Sequence, residues 1–171
     1  MKAVNWMNGS NARIRMVIGG LILLVAVATL LTAREFNERR DTDRDAAARN
    51  SALVTAKKAA LGLSTIDEAT ITKSMASLLE LSTGTFRDQL TSNQASQVQA
   101  VTKGKVISTG KIDSAGIANF DGDSAVVGIA LTAKVSDAKT KKPQVNLYRM
   151  SVHLDREEDG KWLVSTLEFV Q

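Results

Sequence analysis

An unbroken apolar run over residues 16–33 constrains this chain more than any other feature. It contains no charged residue and no Pro, and it is flanked by Arg13 and Arg15 before it and by Arg34 after it. A helix of this length rises about 27 Å, close to the thickness of a bilayer's hydrocarbon core. The run therefore predicts a transmembrane helix over residues 16–33, preceded by a short basic cytoplasmic N-terminus over residues 1–15.

A cleaved signal peptide is the competing interpretation of the same residues. The run is longer than the apolar region of an ordinary signal peptide. Its A-x-A triplet at residues 26–28 is followed by further apolar residues, which cleavage would leave on the new terminus. Because Arg34 follows the run directly, the pattern favours an uncleaved anchor. The chain has no Cys, which excludes anchoring through a lipid-modified cysteine.

The orientation of the anchor rests on the size of the domain that follows it. A count of Lys and Arg alone points the wrong way for a cytoplasmic N-terminus, since five Arg follow the run over residues 34–49. Long domains, however, cross the membrane largely regardless of their charge. We therefore expect a single-pass protein of the cell membrane, with its N-terminus in the cytoplasm and its C-terminal domain outside.

The charge and composition exclude several classes of function. Three of the four net positive charges lie before residue 34, so the rest of the chain is nearly neutral. It has no basic stripe with interleaved aromatic residues, which excludes the usual nucleic-acid interface. The absence of Cys also removes disulfides and thiolate metal sites.

Residues 34–62 predict a charged juxtamembrane helix, because helix-forming residues dominate and opposite charges recur at helical spacing. Gly62 is expected to end it. Two apolar columns run along this helix at heptad spacing. They consist of Ala46, Leu53 and Ala60, and of Ala47, Val54 and Leu61. The favoured partner is the protein's own sheet. The alternative is another subunit, for which Leu53, Val54 and Leu61 are the candidate contacts.

Two further helices follow. Thr65 and Glu68 have the spacing of a capping box and predict the start of the first of them. Its buried face is expected to consist of Ile71, Met75, Leu78 and Leu79. Residues 82–84 should end it, and a second, weaker helix is expected over residues 85–102.

After residue 104 the apolar period changes from helical to two-residue alternation, which is typical of strands. Four strands are predicted, over residues 106–118, 127–135, 148–155 and 162–170, with tight turns at residues 119–123 and at Asp159–Gly160. Strands joined by tight turns are antiparallel. Residues 63–171 thus predict an α+β roll domain, in which helices pack on a curved four-stranded antiparallel sheet. This cone-shaped architecture is cystatin-like or nuclear-transport-factor-like.

No residue pattern points to catalysis, a cofactor or a metal site. His153 is the only histidine and lies on the polar side of its strand. Asp121–Asp123 lacks the further ligands of a calcium loop and reads as a turn. The lysines over residues 139–142 indicate a soluble loop, although they also suit anionic headgroups or an acidic partner. We expect the protein not to be an enzyme.

The concave side of such a sheet can form a pocket for an apolar lipid, but the same side chains also describe an ordinary core, which is the favoured interpretation. They are Val127, Leu131, Tyr148, Met150, Val152 and Trp162.

The chain resembles the Mce-associated membrane proteins of actinobacteria, including the orphan members of that family. The matching stretches are residues 79–86, Leu90, residues 105–106, the strand over 125–131 and the closing residues 159–167. The order of features matches as well, with a basic N-terminus, one anchor, a charged helix and a roll domain.

The resemblance implies a non-enzymatic accessory subunit of an Mce-type transporter, which imports lipids across the cell envelope. Its partners would be the Mce proteins, the permease and, indirectly, the cytoplasmic ATPase. This chain has no P-loop motif, so ATP use would belong to a partner. The alternatives are a secretion or conjugation channel component similar to VirB8-type proteins and a stand-alone anchored domain that binds lipid.

Overall fold

The computed structural model describes residues 44–139 and 142–170, and the predicted anchor lies outside them. The described chain forms three helices and then four strands. They are α1 (residues 44–64), α2 (Ile71–Glu80), α3 (Gly84–Gly104), β1 (Ile107–Phe120), β2 (Ser124–Ser136), β3 (Gln144–Arg156) and β4 (Trp162–Phe169). Within residues 44–139 and 142–170, no helix is both long and apolar enough to cross a bilayer.

The four strands form one antiparallel sheet in the order β1-β2-β3-β4, which confirms the predicted α+β fold. The two-residue alternation along β2 and β3 places one face of the sheet under the helices and leaves the other face open. The open face carries Gly128, Thr132 and Lys134 from β2, among others. The buried face supplies Ala125, Val127, Ile129, Leu131, Ala133, Met150, Val152, Leu154, Trp162 and Val164 to the core.

Helix α1 packs through a seam of alanines. Ala52, Ala56, Ala59 and Ala60 have no exposed surface, and small side chains at this spacing allow the helix backbone to approach its neighbours closely. Helix α1 belongs to the same compact unit as the sheet. One turn before Ala52, on the same side of the helix, the guanidinium of Arg49 lies 4.3 Å from the centre of the Phe120 ring.

The expectation that Gly62 ends α1 is wrong, because the helix continues to residue 64. A Cβ atom at Gly62 would lie 2.9 Å from Cδ2 of Leu78, so the glycine is a point of close packing between α1 and α2. The last residue of the helix, Ser64, is buried, and its hydroxyl donates to the Ala60 carbonyl at 2.8 Å. Its own carbonyl accepts from the Ser108 hydroxyl at 2.6 Å.

The predicted capping box at Thr65 and Glu68 is also wrong. Residue 66 pairs with Ser108 of β1 as an isolated bridge, and α2 begins later, at Ile71. In the turn before α2, the side chain of Asp67 accepts the amides of residues 69 and 70, at 2.6 and 3.2 Å, whereas the N-cap residue Thr70 makes no side-chain cap bond. Local spacing could not predict that β1 would recruit this segment.

The buried face of α2 and the bounds of α3 follow the sequence prediction closely. Ile71, Met75 and Leu78 are buried, and Leu79 packs against the core while partly exposed. Helix α3 packs on β4, and α2 packs on α3. Phe86, Leu90 and Val101 are the buried residues of α3.

Both predicted turns are present. Gly122 and Gly160 have φ angles of 98° and 84°, a backbone region that glycine enters without strain. The Asp121 carboxylate accepts the Ser124 amide at 2.7 Å and the Ser124 hydroxyl at 2.9 Å. These bonds close the β1–β2 turn and use the carboxylate as a structural acceptor.

Candidate partner-contact surfaces

The outer side of α1 carries exposed apolar side chains. Val54 is 41 % exposed and Leu61 is 37 % exposed, and the helical period of 100° per residue places both opposite the alanine seam. Leu53 lies nearer the seam and packs against the core while partly exposed. Of the three predicted contact residues, Val54 and Leu61 are therefore available to a partner, whereas Leu53 is mainly structural.

The two predicted columns separate in the structure. Ala60 and Leu53 of the first column turn towards the core, as expected for a helix that packs on its own sheet. Ala47, Val54 and Leu61 of the second column face outward. The two alternative partners of this helix thus correspond to two different faces of it.

A groove lies between α2 and α3, with a volume of about 630 Å³. Its walls are Thr72, Thr91, Gln94, Ala95, Val98, Gln99, Thr102 and Lys103. The α3 residues recur at three- and four-residue spacing, so they form one face of that helix. The groove combines hydroxyl and amide groups and one cation with a lining surface that is mostly apolar. The sequence of α3 is rich in Gln, Ser and Thr, which by itself predicts only a weak helix and no groove.

The side chains of the predicted lipid pocket form the core. Val127, Leu131, Met150, Val152 and Trp162 are each at most 3 % exposed, and Tyr148 is half-buried. The interpretation of these residues as an ordinary core is therefore the correct one.

The described residues contain no group of three or more His, Asp and Glu side chains placed to hold a metal ion. His153 is half-buried on the open face of the sheet, where its Nε2 atom lies 3.4 Å from the Ser151 hydroxyl. No carboxylate contact to His153 is present among the described residues, so the structure places no catalytic pair around it.

The groups with altered pKa values are located in turns. Hydrogen bonds from the amide and hydroxyl of Ser124 lower the pKa of Asp121. The ammonium of Lys161, 2.7 Å from the Asp159 carboxylate, lowers the pKa of Asp159, and the same contact raises the pKa of Lys161. All three groups are exposed, and their shifts follow from turn geometry rather than from a buried site.

A family model described as "Uncharacterized protein Rv1363c/MT1408-like" matches residues 12–171. The chain belongs to this family. Rv1363c of Mycobacterium tuberculosis (strain ATCC 25618 / H37Rv) is 28% identical over 115 residues, which cover 67% of this chain and 44% of that one. The chain thus spans less than half the length of this Rv1363c/MT1408-like relative.

Solved structures with the same fold come from a different group of proteins. VirB8 of Agrobacterium tumefaciens aligns with a TM-score of 0.58 and 10% identity, over 72% of this chain and 92% of that one. The periplasmic domain of DotI aligns with a TM-score of 0.56 and 14% identity, over 69% of this chain and 91% of that one. An IcmL-like type IV secretion system protein of Legionella pneumophila aligns with a TM-score of 0.53 and 13% identity, over 71% of this chain and 91% of that one. At these identities the likeness shows the fold of this Rv1363c/MT1408-like chain.

Proposed function

We propose that this protein is a non-enzymatic, membrane-anchored accessory subunit that assembles or stabilises an Mce-type lipid-import complex. The observation that carries the proposal is the outer face of α1, where Val54 and Leu61 are exposed directly opposite the seam that packs on the roll domain. An apolar stripe on the solvent side of a helix is typical of a helix with a protein partner.

The sequence supports the choice of an Mce-type complex. The apolar run of residues 16–33 and the charged segment after it would hold the domain at a membrane, where such transporters assemble. The order of features resembles Mce-associated proteins, and the relative Rv1363c comes from an actinobacterium, the group in which that family occurs. The roll domain would stand outside the cytoplasm, as the DotI domain does in the periplasm.

The second candidate is a component of a secretion channel. Its support is the fold, because VirB8 and the IcmL-like type IV secretion protein share the roll architecture over most of their length. Both candidates place the domain in a multi-subunit envelope complex. They differ in the partners that the exposed face of α1 would contact.

Val54→Asp/Leu61→Asp tests the proposed interface. We expect about tenfold less of the transporter subunits to co-purify with the double variant. Two apolar contacts at the centre of the interface would be replaced by buried charges. Purification of tagged full-length protein from its native membrane in mild detergent, with quantitative mass spectrometry, measures this loss.

Ser77→Asp/Ser96→Asp is the matched control, since it adds the same two charges at exposed positions of α2 and α3, away from α1. It should leave the co-purified subunits unchanged. Val54 and Leu61 are exposed, so the double variant should unfold at nearly the temperature of the unchanged chain. Undiminished co-purification of a folded Val54→Asp/Leu61→Asp protein would contradict this interface.

A further inference from the structure

The two edges of the sheet are protected over much of their length. At the β1 edge, Ile66 pairs with Ser108, the Gly110 amide donates to the Thr65 hydroxyl at 3.3 Å, and register shifts at residues 113 and 118 interrupt the rest of the strand. At the β4 edge, the Thr83 amide donates to the Val164 carbonyl at 2.8 Å. Covering segments and bulges are ordinary protections against unwanted strand pairing.

The first part of β3 lacks such protection. Strand β4 pairs with β3 from Arg156 back to Met150, and the last contact is the Val170 amide with the Arg149 carbonyl at 2.8 Å. Strand β3 itself begins at Gln144. Residues 144–148 are therefore a five-residue edge that faces no strand within the described part of the chain.

The unpaired edge presents hydrogen-bonding groups in a regular order. Main-chain groups along an antiparallel strand point alternately to its two neighbours. Because the Arg149 carbonyl points towards β4, the N–H and C=O groups of Val145 and Leu147 point towards the same side, beyond the end of β4. No backbone hydrogen bond on that side is made by either residue among those described.

The side chains around this edge are apolar and basic. Leu147 is 79 % exposed and Val145 is 61 % exposed, both on the open face of the sheet. On the other face, the rings of Tyr148 and Phe169 lie 5.7 Å apart, and Phe169 is 62 % exposed.

Three cations surround the apolar residues. Lys134 lies opposite Val145 in the sheet, Arg149 follows in β3, and Lys142 precedes the strand; all three are exposed. Two acids lie nearby. Glu168 is opposite Ser151, beyond the unpaired segment, and the Asp113 carboxylate accepts the hydroxyl of Thr132, which lies opposite Leu147, so the three cations outnumber the acid beside the edge. A ligand at this edge would therefore meet a positively charged rim.

We propose that the edge of β3 over residues 144–148 binds an extended acidic segment of a partner protein by strand addition. Such a segment would pair with the main-chain groups of Val145 and Leu147, cover their side chains and place its acidic residues beside Arg149 and Lys134. This surface is separate from Val54 and Leu61, and the proposal goes beyond the accessory role described above.

Two other occupants fit the edge less well. A bilayer surface would contact the apolar and basic side chains but would leave the strand's main-chain groups without partners. A second copy of this chain, paired antiparallel about Asn146, would place Arg149 opposite Pro143 of the other copy. It would bring two basic segments together with no acidic residue between them, and like charges are unfavourable across a strand pair.

A peptide probe tests the proposal on the full chain in detergent. The probe is an acetylated Glu-Thr-Val-Thr-Val-Glu peptide, with Lys-Thr-Val-Thr-Val-Lys as its basic counterpart. We expect the acidic peptide to bind more tightly and to slow hydrogen exchange at the amides of Val145 and Leu147. Val145→Pro, which removes one edge donor at a position where proline is tolerated, should weaken binding by about tenfold.

Leu147→Glu provides a second variant that keeps every main-chain donor and repels the acidic peptide, and it should weaken binding to a similar extent. Ile107→Glu is the matched control, because Ile107 is 55 % exposed but lies on β1. It should leave binding unchanged. The proposal would be overturned if the acidic peptide bound both edge variants as tightly as the unchanged chain. It would also be overturned if, without peptide, the protection of the Val145 and Leu147 amides from exchange rose with protein concentration, or if phosphatidylglycerol vesicles protected these amides and the peptide did not.

Discussion

Gly110 shows how closely α1 and the sheet approach each other at a single residue. A Cβ atom at this position would lie 2.0 Å from the Ser64 hydroxyl oxygen and 2.7 Å from its Cβ atom. Ser64 is buried and hydrogen-bonded, so it cannot move aside. We expect Gly110→Ala to lower the free energy of unfolding by about 1–3 kcal/mol, the usual cost of overpacking. Urea unfolding of the full chain followed by circular dichroism measures the change.

Gly116 is the control for this substitution. It lies on the same strand, and a Cβ atom there would meet nothing within 4 Å. Gly116→Ala should leave the stability unchanged or raise it slightly, because alanine loses less backbone entropy on folding than glycine does. Equal effects of the two substitutions would show that α1 does not pack on β1 as described.

Asp121 gives a pH-dependent test of the β1–β2 turn. Its pKa is lowered from the ordinary value of 3.8, chiefly by the hydrogen bonds from Ser124. A lowered folded-state pKa means that the carboxylate stabilises the fold fully above its ordinary value, and that this contribution is lost as the pH falls through the folded-state value. Asp121→Asn should therefore reduce the unfolding temperature at neutral pH, and the difference should shrink in acid.

A chemical-shift titration of the same carboxylate checks the cause of the shift. Ser124→Ala removes the hydroxyl donor and keeps the amide, so the pKa of Asp121 should move part of the way back to its ordinary value. An unchanged titration of Asp121 in Ser124→Ala would rule out the side-chain bond as a contributor.

At the scale of elements, the sequence predicted strands better than helix ends. The alternation of apolar and polar residues along β2 and β3 was sufficient to predict these strands. One face of the sheet is buried and the other is open, which is the arrangement that produces a two-residue period. A glycine in the sequence did not show by itself whether a helix ends there. Gly62 reads as a helix terminator in isolation, and only its contact with Leu78 explains why the helix runs through it.

The core-facing side of α1 was the least predictable part of the fold. The large residues Leu53, Val54 and Leu61 dominate the sequence pattern, whereas the buried seam consists of alanines. Hydrophobicity ranks leucine and valine above alanine, but the short distance between helix and sheet selects small side chains. Of the three candidate contact residues, Leu53 packs against the core, and the partner contact of Val54 and Leu61 stays a prediction.

Ala56 tests the seam directly. It has no exposed surface, and Ala56→Leu would force several atoms into a close helix contact. We expect a loss of about 1–3 kcal/mol in the free energy of unfolding. Lys58→Leu, at an exposed position of the same helix, should change the stability little. Thermal unfolding of the two variants side by side measures the difference, and a stability loss confined to Lys58→Leu would place the seam on the wrong face.

At the scale of the whole molecule, the described chain combines a packed core with exposed apolar residues in two places. Val54 and Leu61 lie on α1. The others lie at one end of the sheet, where β1 and β3 begin and β4 ends. Exposed apolar groups of this kind mark contact surfaces on proteins that assemble with others. The sequence could not separate these positions from core positions, because burial depends on which elements lie opposite each other in the fold.

The proposed role of the protein, as an accessory subunit of a lipid-import complex, can be tested on the protein in its native membrane. The most direct test is mild-detergent affinity purification of the full-length chain from its native membrane, followed by identification of the co-eluting proteins. We predict that Mce proteins, their permease and their ATPase co-elute with it. Co-elution of secretion-channel proteins instead, or elution of the chain without partners, would contradict this function.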